Sequence, residues 1–196
     1  MRHDKPKIYL AGPEVFLPEA AALGQQKKHL CEVHGFEGLF PFDNDPPQGA
    51  AGEPIDEQIY RANVALIRQA KLGIVNLTPF RGPSADVGTV FELGLLVGLG
   101  KEVFGYTNET SDLLERVKRS RKATFDPVRN AWRDGLRMAI EDFGNADNLM
   151  IDQALRIAGN PIVRHKTKPS QRFTDLTAFE TCLRRAAEKL QLKEKA

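Results

Sequence analysis

Long apolar runs are missing from this chain. Nothing approaches the ~20 consecutive apolar residues that a bilayer-spanning helix needs, and the opening Met1-Arg2-His3-Asp4-Lys5-Pro6 has no apolar core of a secretory leader. No membrane partner and a cytoplasmic location are therefore expected. Cysteine is scarce. Only Cys31 and Cys182 occur, and Cys182 falls on the apolar stripe of a predicted helix, so neither a disulfide framework nor a cysteine-rich metal site is expected. His3, His29, His34 and His165 lack a ligand spacing such as H-E-x-x-H, and no serine sits in a G-x-S-x-G elbow. The G-x-G-x-x-G fingerprint and the P-loop are also missing. Charge of one sign is not in excess. With 28 Lys and Arg against 26 Asp and Glu, the net charge is +2, and no nucleic-acid partner is expected. The basic run from Arg116 to Lys122 reads as a solvated face. What is present, 41% apolar residues in 196, describes one globular domain spanning residues 1–196.

Apolar runs alternate with helical periodicity. Lys7 to Leu10, Gly35 to Phe40, Leu72 to Leu77, Glu102 to Tyr106 and Pro161 to Arg164 read as five strands. Pro18 to Val33 reads as a helix, and Ile55, Ile59, Ala62, Leu66, Ile67 and Ala70 predict one buried helical stripe. A very apolar helix is expected from about Asp86 to Leu99, and a packing helix over 174–192 with Asp175 as its cap. Residues 107–160 read as a helical insertion containing Trp132, Leu136, Met138, Ile140 and Phe143, placed to cover the site or form a subunit contact. Strands alternating with helices pair in parallel through right-handed crossovers. The expected fold is thus α/β, a flavodoxin-like, doubly wound, parallel five-stranded sheet carrying that helical insertion. Ligands of such sheets bind at the carboxyl ends of the strands, where the loops after strands one to three converge.

Between Val87 and Leu99, Glu92 is the only charged residue. A carboxylate on so apolar a helix is costly to bury without partners, which makes it a candidate for chemistry, although a lone Glu can also simply reach solvent or meet an Arg. Asp86 begins the same helix, where an ordinary capping role is available to it. Six residues put the two carboxylates about a third of a turn apart and roughly 9 Å along the axis, so both could flank a ligand across the helix N-terminus. Asn63 lies on the buried edge of the preceding helix, where an amide must find a partner, either a ligand or a neighbouring loop. Tyr9 alternates within the first strand, and Gly12 with Pro13 allows close backbone approach after it. These residues suit a carboxylate nucleophile or general base acting on an uncharged organic ligand.

The segments Ile8-Tyr9-Leu10-Ala11-Gly12-Pro13-Glu14-Val15-Phe16, Pro41-Phe42-Asp43-Asn44 and Asn76 to Gly94, with its D-x-G-T-x-F-E core, resemble the nucleoside 2-deoxyribosyltransferase family. Asn148-Leu149-Met150 resembles that family's later Asn-Leu-Met element. The likeness spans about residues 7 to 165. It implies a flavodoxin-like enzyme that transfers 2-deoxyribose between nucleobases through a covalent glycosyl-enzyme, with no metal or cofactor. By position, Glu92 is similar to the nucleophile, Tyr9 to the hydroxyl that orients it, and Asp86 to the carboxylate that moves a proton to the leaving base. The resemblance further implies that Gly12, Phe16, Asp43, Asp45, Asn63, Pro79, Arg81, Gly88, Asn148 and Met150 surround the substrate. The expected partners are a 2′-deoxynucleoside, a free nucleobase and further copies of the chain. Asn148 would be lent to a neighbouring subunit's site to hold the sugar 5′-hydroxyl, and Met150 would pack near the nucleophile. Lys71 stands where relatives often carry Asp, and residues 107–145 form a longer insertion than in compact members.

The nearest rival is an N-glycoside hydrolase of nucleosides or nucleoside 5′-monophosphates, with water replacing the acceptor base. Asn148 favours an unphosphorylated sugar, while Arg81 keeps a phosphate reading open. A silent binding module using residues 116–122 and an FMN-binding flavodoxin are more distant readings. The first has no use for Glu92, and the second lacks a Ser/Thr-rich loop after strand one.

Overall fold

The computed structural model describes residues 5–41 and 53–191. Along the chain run β1 (Lys7–Ala11), α1 (Ala20–Val33), β2 (Glu37–Leu39), α2 (Ile55–Gln69), β3 (Leu72–Asn76), α3 (Val87–Gly98) and β4 (Glu102–Thr107). There follow α4 (Leu113–Ser120), the short strands β5 (Ala123–Asp126), β6 (Ala131–Asp134) and β7 (Ala139–Ile140), then α5 (Leu149–Ile157), β8 (Val163–Arg164) and α6 (Thr177–Lys189). Five strands form one sheet in the order β2-β1-β3-β4-β8, every neighbour parallel, which is the flavodoxin-like order expected of this alternation.

Strand alternation decides which residues face which layer. Ile8, Leu10, Leu72, Ile74, Phe104 and Tyr106 pack on one side with Cys31 and Phe36 and with Phe179, Cys182, Leu183 and Ala186 of α6. Tyr9, Ala11, Val75 and Val103 pack on the other with Leu66 and Ile67 of α2, Leu93 and Leu96 of α3, and Ile151 and Leu155 of α5. Gly73, opposite Tyr9 in the β1–β3 register, lies on this second side under Leu96; a Cβ there would stand 2.4 Å from Leu96 Cδ1. Tyr9 therefore points toward α3.

Two expectations need correction. The insertion is not helical throughout, because its centre is the antiparallel sheet β5-β6-β7, flanked by α4 and α5. Its turns are led by aspartates: Asp126 Oδ1 accepts from the backbone of Val128 and Arg129, and Asp134 Oδ1 from that of Leu136 and Met138. Nor is the α2 stripe wholly buried. Only its second half packs on the sheet, through Leu66 and Ile67, while Ile55 and Ile59 are exposed. The C-terminal helix begins at Thr177 rather than residue 174, and Asp175 Oδ1 still accepts from the Thr177 N–H at 2.9 Å. Among the described residues no helix is long and apolar enough to cross a membrane.

Candidate active site

Because Tyr9 faces α3, its hydroxyl meets the one carboxylate of that helix. Tyr9 Oη donates to Glu92 Oε1 at 2.5 Å. Burial pushes the Glu92 carboxyl up to about 7; the Tyr9 hydrogen bond works against this, and the charge of Asp86 adds to it. Burial, together with the charge of Glu92 and the bond to it, holds the Tyr9 hydroxyl well above the usual phenol range, so it stays a donor. Asp86 caps α3, accepting from the Thr89 N–H at 2.9 Å and the Thr89 hydroxyl at 3.1 Å through Oδ2. The capping reading of Asp86 thus holds. Gly88 stands exposed in the first turn beside it.

The Asn63 side-chain oxygen is buried and has no donor among the described residues. It lies one turn along α2 from Tyr60, whose ring meets that of Phe91, the neighbour of Glu92, at 6.3 Å. Past β1 and β3 the loops bring together an aromatic platform that the sequence did not display as a unit. Phe16 stacks on Phe80 with centroids 5.2 Å apart and planes 10° from parallel, and Phe173 meets Phe80 edge-on. The Arg81 guanidinium lies over both stacked rings, at 4.9 and 4.6 Å. Pro79, just before them, is buried.

Gly12 also has a structural reason to be glycine. A Cβ there would stand 1.8 Å from Oε2 of Glu14, a fully buried carboxylate whose other oxygen accepts from Lys27 Nζ at 2.8 Å and from Asn76 Nδ2 and Tyr106 Oη at 2.9 Å. This network braces the ends of β1, β3 and β4, and only its long-range geometry could have announced it. Asn148 caps α5, its oxygen accepting from the Met150 N–H at 3.0 Å and its amide donating to Glu141 Oε1 at 2.6 Å. Met150 is 71% exposed, on the outward side of the first turn of α5. Arg116 is no part of a solvated face: it is 4% exposed and paired with Asp147. Asp43 and Asp45 lie outside the described residues. Among the described residues, no three His, Cys, Asp or Glu side chains gather as a metal-holding group.

Comparison with known proteins decides the family. The family described as Nucleoside 2-deoxyribosyltransferase matches residues 8–150, which include Tyr9, Asp86, Glu92 and Asn148. The chain belongs to this family. As a nucleoside 2-deoxyribosyltransferase-like protein it is similar to the 2-desoxiribosyltransferase from Leishmania mexicana, at 28% identity and a TM-score of 0.58, over 74% of this chain and 85% of that one. A conserved protein from Enterococcus faecalis V583 shares the fold at 17% identity and a TM-score of 0.52, over 93% and 99% of the two chains. Along 96% of its length the chain is also 29% identical to the uncharacterized protein C191.05c of Schizosaccharomyces pombe, of which it covers 92%.

Proposed function

We propose that this deoxyribosyltransferase-like protein exchanges purine or pyrimidine bases on 2′-deoxynucleosides by a retaining double displacement. The observation that carries the reading is the Tyr9–Glu92 pair: a half-buried carboxylate, held by a phenol that does not ionise, at the carboxyl edge of a flavodoxin-like sheet. Glu92 attacks C1′ on the face opposite the base. The C1′–N bond breaks through an oxocarbenium-like transition state, and the departing nitrogen takes a proton from Asp86. An acceptor base then attacks C1′ from the vacated face, gives its proton to Asp86, and releases Glu92. Two inversions leave the configuration retained.

The remaining residues take binding roles that suit their geometry. Phe16, Phe80 and Arg81 offer a flat, π-rich surface with a cation above it, suited to stacking a nucleobase. The unpartnered Asn63 oxygen suits a ligand hydroxyl or N–H. Gly12, Pro79 and Gly88 line the loops around this space, and Asp43 and Asp45, which fall between β2 and α2 in the sequence, are assigned to the substrate with them. Asn148 serves the 5′-hydroxyl of a sugar in a neighbouring copy, within a homo-oligomer. Its anchor on Glu141 keeps it at the helix terminus rather than free to swing. No metal or cofactor takes part, and nucleoside salvage in the cytoplasm is the plain setting.

The test is chromatographic. The protein is incubated with a 2′-deoxynucleoside, with and without a second free base. A new deoxynucleoside that needs the acceptor and disappears in Glu92→Ala supports the transferase. Free base released equally in both tubes points to the N-glycoside hydrolase, which a 5′-monophosphate substrate would probe further.

A further inference from the structure

Ser84 and Ala85, just before Asp86, and Asp147, just before Asn148, belong with Arg116 to one buried polar clasp. Asp147 is fully buried, and four donors converge on its carboxylate. Oδ1 accepts from the Ser84 hydroxyl and, at 2.8 Å, from the Asn148 N–H; Oδ2 accepts from the Ala85 N–H at 2.9 Å and Arg116 Nη2 at 3.3 Å. The remaining Arg116 donors run to three backbone carbonyls: Nε to Pro83 at 2.5 Å, Nη1 to Ser111 at 2.7 Å and Nη2 to Ala146 at 2.6 Å. Pro83, Ser84 and Ala85 are the three residues that lead into Asp86.

We infer that Arg116 and Asp147 are positioning residues, which hold the 83–85 loop so that Asp86 stands where it can pass a proton to the departing base. The inference rests on the proposed function. The chemistry of the clasp supports it. A guanidinium presents a rigid fork of five N–H donors that can satisfy three carbonyls and a carboxylate at once, which an ammonium cannot reproduce. Asp147 at the Ser84 hydroxyl and the Ala85 N–H, with Arg116 at the Pro83 carbonyl, fixes the loop at three points rather than one. Among the described residues the Asp86 side chain is hydrogen-bonded only to Thr89 of its own helix, so its placement follows from where α3 begins. The clasp sets that point by gripping the preceding residue.

Because the clasp acts on the proton donor and not on Glu92, its loss should depend on the leaving group. A natural deoxynucleoside needs a proton on its base as the bond breaks. Nicotinamide 2′-deoxyriboside does not, since nicotinamide leaves neutral. The variants Arg116→Lys, Asp147→Asn and the milder Ser84→Ala are compared with wild type and Asp86→Ala by the single-turnover rate of base release on both substrates, with no acceptor present and folding followed by circular dichroism. The expected result is a fall of about 100-fold on the deoxynucleoside for Arg116→Lys and Asp147→Asn, the scale of an ångström-sized misplacement. On the nicotinamide substrate the fall should be no more than about threefold, as that step draws on Glu92 without a proton donor. Ser84→Ala should show the same selectivity in smaller measure. Equal losses on both substrates, as partial unfolding would give, or no loss on either, overturn the positioning role. Failure of the underlying reading looks different: wild type then turns over neither substrate, or Asp86→Ala loses both alike.

Discussion

Glu92 meets two opposing demands, and pH separates them. In the proposed role of nucleophile it must be ionised, yet burial raises its carboxyl to about 7. The kcat/KM for a deoxynucleoside should therefore climb with pH along an acid limb that ends near 7, as a pH–rate profile of the wild type would show. Tyr9 lowers the Glu92 value through its hydrogen bond. Tyr9→Phe should move that limb upward by about one to two pH units, the worth of a hydrogen bond to a charged group. A limb that stays in place would deny the phenol this role. The same shift predicts stability with a definite sign. An unfolded Glu titrates near 4.5 and the folded one near 7, so between these values the native state holds a proton that the unfolded chain has released. Stability contributed by Glu92 thus falls as pH rises through this window, by on the order of 3 kcal/mol in all. Glu92→Gln should be more stable than wild type by about that amount at pH 8, and indistinguishable below about pH 4.5. Urea unfolding at the two pH values checks it.

Elements with strong local patterning were legible, and those assembled by distant contacts were not. β1, β3, β4, α3 and α6 combine a clear period with a stop signal, and the alternation in β1 already implied which face Tyr9 would take. β5, β6 and β7 escaped because they bury little and the positive-φ positions of their turns are not glycine. Asn130 and Arg137 adopt positive φ there, although Leu136, Met138 and Ile140 recur at the strand period of two. The burial of Arg116 was hidden because its partner Asp147 lies 31 residues away, and a run of basic residues looks the same solvated or clasped. Glu14 was hidden likewise, since its donors come from α1, β3 and β4. One contact between elements links fold to chemistry. Leu96 is one turn beyond Glu92 on α3, and it rests on Gly73, the residue paired with Tyr9. Gly73→Ala should wedge α3 off the sheet, costing about 1–3 kcal/mol of stability as overpacking does. Transfer activity of the folded protein should drop further than Tm alone implies, because the wedge parts Tyr9 from Glu92. Thermal unfolding beside an activity assay per folded molecule measures both; a loss of stability with full activity would show α3 shifting as a rigid body with Tyr9.

For the molecule as a whole, the distribution of apolar surface bears on whether one chain suffices. Val87 is 84% exposed and Phe91, Tyr60, Ile55 and Ile59 are also exposed, all on the α2 and α3 flank beside Glu92; Met150 is exposed next to Asn148. Apolar side chains grouped around a site are better explained by a covering partner than by solvent. If that partner is a second copy whose Asn148 completes the site, the two residues Glu92 and Asn148 act in one site but come from different chains. Glu92→Ala and Asn148→Ala proteins should then each be nearly inactive alone. After mixed refolding, some dimers carry one of each, and such a dimer holds one site with both residues intact and one with neither. Random pairing of equal amounts makes about half of the dimers hybrid, so about a quarter of the wild-type activity should return. The return should depend on refolding the two together and should vanish on dilution below the dimer's dissociation range. A mixture that stays inactive although it forms hybrid dimers, detected by two affinity tags, would place Asn148 and Glu92 in the same chain's site.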